Sequence, residues 1–100
     1  MMIASSTGPS RLSQSALKAE REERGFDAGS LWGQVAVKAD SVRARSCGDN
    51  PNGIEASWLR GRALARLGSC TEAVPLLAEA RLLAGDVAWR EDVPLALARC

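Results

Sequence analysis

Apolar residues along this chain follow the period of an α-helix. Leu31, Val35, Ala39 and Val42 recur at intervals of four, four and three residues, which places them on one face of a helix. Isoleucine occurs only twice and tyrosine not at all, whereas strands favour β-branched and aromatic side chains. Alanine, leucine and valine supply the core instead, and their small size suits closely packed helices. The sequence therefore predicts an all-α fold.

Turn residues divide the chain into four helices and part of a fifth. We predict helices over residues 12–24, 28–46, 54–67 and 71–84, with an incomplete fifth after residue 87. The clearest boundary is Cys47–Gly53, where Gly, Asp, Asn and Pro all favour turns. Gly25 is expected to end the first helix. Ser69 and Thr71 are alternative caps for the fourth helix, and Pro75 favours Thr71 because it then lies nearer the first turn.

The two ends of the chain are expected to differ, with a disordered N-terminal segment and a helical C-terminal one. Residues 1–10 are rich in serine and contain Gly8 and Pro9, so we predict a disordered head. Residues 11–100 form one helical repeat domain, and the last helix reaches Cys100 without a stop signal, as in a truncated chain. Neither a signal peptide nor a stretch of transmembrane length is visible. We expect a cytoplasmic protein that does not bind membranes.

One segment carries a family pattern of small and large residues. Its first helix has Gly61 and Leu64 three residues apart, Gly68 follows four residues later in the turn, and the second helix has Ala73, Leu77 and Ala80. This pattern resembles a tetratricopeptide repeat, in which small residues lie where two helices touch. The resemblance covers about residues 54–85 and departs from the family at Arg60, where a buried leucine is usual.

The resemblance implies an architecture and a function. Repeats of this type form antiparallel helical hairpins that stack into a solenoid. The chain would then be a short solenoid fragment and a protein–protein interaction scaffold that holds a peptide or helix of a partner in a groove. A helical DNA-binding module or a regulatory domain of a larger protein is the alternative. The net charge of +1 argues against nucleic acid, because its binding draws on a basic excess.

The residue types common in catalysis and metal binding are scarce. Histidine is absent, and zinc sites usually need four Cys or His ligands. The acids around Glu20 are expected to face solvent, and Asp92 to favour the dipole of the last helix. No phosphate-binding glycine motif occurs. We expect no enzyme, no cofactor and no metal.

The three cysteines, Cys47, Cys70 and Cys100, are odd in number and widely spaced. We expect free thiols, with Cys70 a small buried hydrophobe. A disulfide between two of them is the alternative, although no secretory signal supports it.

Three residues on the third helix form the candidate binding site. Trp58, Arg62 and Arg66 are spaced four apart and share one helical face. In the resembled family this flank lines the peptide groove, and arginine suits carboxylates, so we predict an acidic partner segment. Alternatively, Trp58 caps the core and both arginines are ordinary solvated charges. Self-association through Leu95–Leu97 is also expected.

Overall fold

The chain folds into helices throughout the part that its structure, a computed structural model, describes. That part comprises residues 8–45 and 50–100, and no strand occurs in it. The elements are α1 (Pro9–Arg21), α2 (Gly25–Arg45), α3 (Pro51–Arg66), α4 (Cys70–Leu83) and α5 (Asp92–Leu97), with a short 3-10 helix at Ala88–Glu91. The predicted all-α class is confirmed. None of the helices in the described ranges combines the length and apolar character needed to cross a bilayer.

The first two helices are offset from their predicted bounds. α1 begins at Pro9 rather than at residue 12, because proline lacks only a donor that the first turn leaves unused. Gly25 starts α2 instead of ending α1. The break between them falls at Glu23, whose positive φ of 59° reverses the chain. The predicted disordered head lies largely in residues 1–7, outside the described residues, and its last two residues belong to α1.

α3 begins three residues earlier than predicted. Its cap is Asn50, whose side-chain oxygen accepts a hydrogen bond from the backbone nitrogen of Asn52 at 2.9 Å. Pro51 then occupies the first helical position. An asparagine cap followed by proline is a favourable helix start, so the turn-like letters through Gly53 belong to the helix.

α4 begins at Cys70, so the preference for a Thr71 cap is wrong. The carbonyl of Ser69 accepts from the backbone nitrogens of Glu72 at 3.1 Å and Ala73 at 2.9 Å. Pro75 consequently lies inside the helix, where it removes one backbone hydrogen bond.

The core centres on α3, which contacts all four other α-helices. Its packing against α4 follows the predicted interface, since the residues concerned are all buried: Gly61, Leu64, Ala73, Leu77 and Ala80. A Cβ atom placed on Gly61 would lie 2.7 Å from Cγ of Leu77. Glycine at this position is therefore what lets the two helices approach so closely.

A disulfide joins Cys70 to Cys100, whose Cα atoms are 5.6 Å apart. The expectation of free thiols is wrong for this pair, and Cys70 is half-buried rather than buried. The bond forms because α5 packs on α3 and α4 and returns the chain to the start of α4. Cys47 lies outside the described residues.

Candidate functional site

The three predicted site residues point into the molecule. Trp58 and Arg62 each retain only 8% of their exposure, and the side chain of Arg66 retains 11%. The expectation that the two arginines lie outside the core is therefore wrong. The reason is that α3 has helices on several sides, so the flank that carries these residues is covered.

Arg62 is held by groups from both ends of the chain. Its Nη1 donates to Oγ of Ser13 at 3.1 Å, and its Nη2 donates to Oδ1 of Asp92 at 3.2 Å. Its Nε lies 3.2 Å from Oδ2 of Asp92 but makes no hydrogen bond. Burial lowers the pKa of Arg62, and the nearby carboxylate of Asp92 opposes that effect. The ion pair is thus what makes a buried cation tolerable here.

Arg66 shares a second carboxylate with a tryptophan. Oε2 of Glu20 accepts hydrogen bonds from Nε of Arg66 at 3.0 Å and from Nε1 of Trp32 at 2.7 Å. The guanidinium carbon of Arg66 lies 4.7 Å from the centroid of the Trp32 ring. This geometry combines a charge-assisted hydrogen bond with a cation–π contact.

Two more aromatic contacts complete the arrangement. The rings of Trp58 and Trp89 are stacked, with centroids 4.9 Å apart and planes 5° from parallel. Nε1 of Trp58 donates to Oδ2 of Asp92 at 2.8 Å, and the guanidinium carbon of Arg62 lies 5.1 Å from the Trp58 ring. We call the following residues the Trp–Arg cluster: Glu20, Trp32, Trp58, Arg62, Arg66, Trp89 and Asp92.

Sequence reasoning missed four members of this cluster. Glu20 was expected to face solvent and Asp92 to act on a helix dipole, yet both carboxylates pair with buried arginines. Trp32 and Trp89 were not assigned to the site. The one signal that could have found them is that tryptophan makes up three of the four aromatic residues, and scarce large side chains tend to gather in one core.

The Trp–Arg cluster is suited to binding a carboxylate between aromatic rings. Both of its arginines already hold such a group, one from α1 and one from α5. Among the described residues, no group of three or more acidic or cysteine side chains is placed to hold a metal ion.

A second surface lies on the side of α4 that faces away from α3. We define the outer face of α4 as Val74, Pro75, Ala78 and Leu82, all of which are exposed. Leu82 retains 82% of its exposure, although it is a large apolar side chain. The intervals 75, 78 and 82 are three and four residues, so these side chains form a continuous stripe along the helix.

Comparison of the chain with family models, with curated proteins and with solved structures finds no match. The resemblance to tetratricopeptide repeats consequently stays a proposal, and the role of each surface rests on its geometry.

Proposed function

We propose that this chain is a protein-binding scaffold of tetratricopeptide-like type, in which the outer face of α4 takes an amphipathic helix of a partner protein. The observation that carries the proposal is that α4 is apolar on opposite sides. One side buries Ala73, Leu77 and Ala80 against α3, while the other exposes Leu82 and its neighbours. A surface helix normally carries polar residues opposite its buried stripe, so a contiguous apolar stripe there indicates a binding surface.

The proposed architecture is a pair of antiparallel hairpins with a further helix packed against the second. Its support is the order of packing, because α1 with α2, α2 with α3, and α3 with α4 are the most extensive contacts. The links at residues 22–24 and 67–69 are only three residues long, and such short links favour antiparallel neighbours. In a stacked array the terminal hairpin keeps one face for the next helix. The outer face of α4 fits that role.

The chemistry of this face defines the partner helix. Pro75, Ala78 and Leu82 require apolar residues at three- and four-residue intervals on the opposing helix. Glu79 is exposed beside them, so a lysine or arginine at the edge of the partner's stripe would complement it. Because Pro75 and Ala78 are small, they leave a shallow depression on this face, which larger apolar side chains of the partner helix would fill.

A displayed library of helical peptides tests the proposal. We expect the intact chain to select peptides with apolar residues at positions i, i+3 or i+4, and i+7. Leu82→Ser should abolish their binding. Phe26→Ser is the matched control, because Phe26 on α2 is 91% exposed and equally apolar. Selection of no such peptide, or equal binding to both variants, would refute the proposal.

A helical DNA-binding module on this fold would need exposed arginines on α3 as readers of base edges. Arg60 instead lies 3.6 Å from a carboxylate oxygen of Asp40 and 3.5 Å from one of Glu72, and Arg62 and Arg66 belong to the Trp–Arg cluster. A salt-dependent mobility-shift assay with random duplex would reveal any remaining affinity.

A further inference from the structure

The segment 88–97, which we call the strap, covers the Trp58 end of the Trp–Arg cluster. Its Trp89 stacks on Trp58, and its Asp92 accepts hydrogen bonds from Trp58 and Arg62. Behind these contacts Val93 is fully buried. An aromatic ring, a carboxylate three residues later and the apolar side chain next to it hold the strap on α3, and Ala96 is buried as well, where α5 also packs on α4.

The carboxylate of the strap does not use the full capacity of Arg62. An arginine can donate two parallel hydrogen bonds to one carboxylate, yet Nε of Arg62 is buried and makes none. Of the two nitrogens of Arg62 that face Asp92, Nε and Nη2, only Nη2 donates a hydrogen bond to it. A carboxylate on a segment free to adjust its position would take both bonds.

The other side of the strap is open. Arg90, Glu91 and Leu95 are exposed there. On the inner side, a cleft of about 350 Å³ lies between the start of α3 and Trp89, so the packing beneath the strap is incomplete. Movement of the strap away from α3 therefore meets few packed neighbours on its outer side.

We propose that the strap is a displaceable internal ligand on α3, that its site takes an acidic partner segment with an aromatic residue three positions before the carboxylate, and that reduction of Cys70–Cys100 opens the site. The partner's chemistry is read from the strap itself. The aromatic residue would stack on Trp58, the carboxylate would accept from Trp58 and Arg62, and an apolar residue would fill the place of Val93. This site is separate from the outer face of α4 and does not depend on it.

The disulfide is placed to control the strap. It closes a ring of the chain from Cys70 to Cys100 that contains α4 and the whole strap. While the bond is intact, the strap is tethered at both ends and its local concentration at α3 is high. After reduction the link through residues 84–87 is the only covalent tether, so the local concentration of the strap at α3 falls and a partner segment competes with it more effectively.

The bond is also accessible to a dithiol reductant. Cys100 is exposed, so a thiolate of the reductant can attack its sulfur and break the S–S bond. Cys70 leaves as a thiolate at the first position of α4, where the helix N-terminus stabilises negative charge before a proton is taken up. The second thiol of the reductant then attacks the mixed disulfide and releases Cys100. Two electrons and two protons pass from the dithiol to the chain.

A fluorescent peptide with the sequence of residues 86–98 tests the proposal by anisotropy. We expect at least tenfold tighter binding to the reduced chain than to the oxidised one, because the tether no longer favours the strap. A chain with Cys100→Ser and Trp89→Ala should bind more tightly still, since its own strap has lost an anchor. Replacing Asp92 by Asn in the peptide should weaken binding about tenfold or more.

Matched controls separate this site from other effects. Replacing Glu91 by Gln in the peptide removes the same charge one position away and should leave binding unchanged. Leu82→Ser in the protein should also leave it unchanged, which distinguishes failure here from failure of the proposed function. Equal binding to oxidised and reduced chains would overturn the proposal. So would equal effects of the two peptide changes, or loss of the helical circular dichroism of the chain on reduction.

Discussion

Gly61 lies at the closest approach of two helices. An alanine there would bring Cβ within 2.7 Å of Cγ and 2.9 Å of Cδ2 of Leu77, and Leu77 is fully buried with little room to move. We expect Gly61→Ala to lower the free energy of unfolding by about 1–3 kcal/mol in urea denaturation, the usual cost of overpacking. Gly33→Ala is the control, because a Cβ at Gly33 meets nothing within 4 Å. It should raise stability by about 0.5–1 kcal/mol, and a loss at both positions would contradict the packing argument.

Asp92 balances the charge of a buried arginine. Asp92→Asn keeps the shape of the side chain but leaves Arg62 without its counter-ion, which should cost about 3 kcal/mol of unfolding free energy, the lower end for broken buried pairs. Asp40→Asn is the exposed comparison, since the side chain of Asp40 retains 54% of its exposure beside Arg43, and it should change stability by no more than about 0.5 kcal/mol. In the double variant Arg62→Met with Asp92→Asn, much of the loss should be recovered. Additive losses would show that the pair is not coupled.

At the scale of single elements, the turn between α1 and α2 contains an unfavourable residue. Glu23 adopts a φ of 59°, a region that costs side chains other than glycine about 1–2 kcal/mol. The side chain of Glu23 is exposed, so Glu23→Gly should raise the melting temperature through the turn alone. Lys18→Gly within α1 should lower it, because that position is regular helix.

The disulfide connects α4 to the segment that follows α5. Its loop spans a sequence separation of 30 residues, for which chain entropy predicts about 3–4 kcal/mol of stabilisation. Cys100→Ser should therefore lower the unfolding free energy by up to about that amount. The double variant with Cys70→Ser should lose no more, since both remove the same bond. Alkylation followed by intact-mass measurement should show two more reactive thiols after reduction than before.

The sequence predicted those elements whose causes are local. Helical spacing and the small-residue pattern around Gly61 depend on neighbours a few residues apart, and both reappear in the structure. The Trp–Arg cluster could not be predicted in this way, because Arg66 and Glu20 are 46 residues apart and Arg62 and Asp92 are 30 apart. Spacing along α3 showed that Trp58, Arg62 and Arg66 share a face. It could not show that α1, α2 and the strap cover that face.

For the whole molecule, we predict modest stability once the disulfide is reduced. The single core is made largely of alanine and leucine and holds few large side chains, and even somewhat smaller domains, below about 70–80 residues, rarely gain more than about 3–5 kcal/mol from one core. Apolar residues also remain exposed, including Leu95 at 68% and Leu82 at 82%. In the presence of reductant we expect melting below about 70 °C, with a midpoint that depends on protein concentration.

Sedimentation equilibrium across a range of concentrations measures the accompanying self-association. The contributions of Leu95 and Leu82 to self-association can be separated. Leu95→Ser tests the predicted C-terminal contact, and Leu82→Ser tests the outer face of α4. A reduced chain that stays monomeric and melts cooperatively above about 70 °C would contradict this prediction.

The stacked pair Trp58 and Trp89 has an optical consequence. Two indoles with centroids 4.9 Å apart couple their electronic transitions, and the expected signature is a paired positive and negative band in the ultraviolet circular dichroism spectrum. The chain has no tyrosine and only one tryptophan outside the stacked pair, Trp32, so little other indole or phenol signal overlaps these bands. The protein thus contains its own spectroscopic reporter for the state of the segment that carries Trp89, without any attached dye.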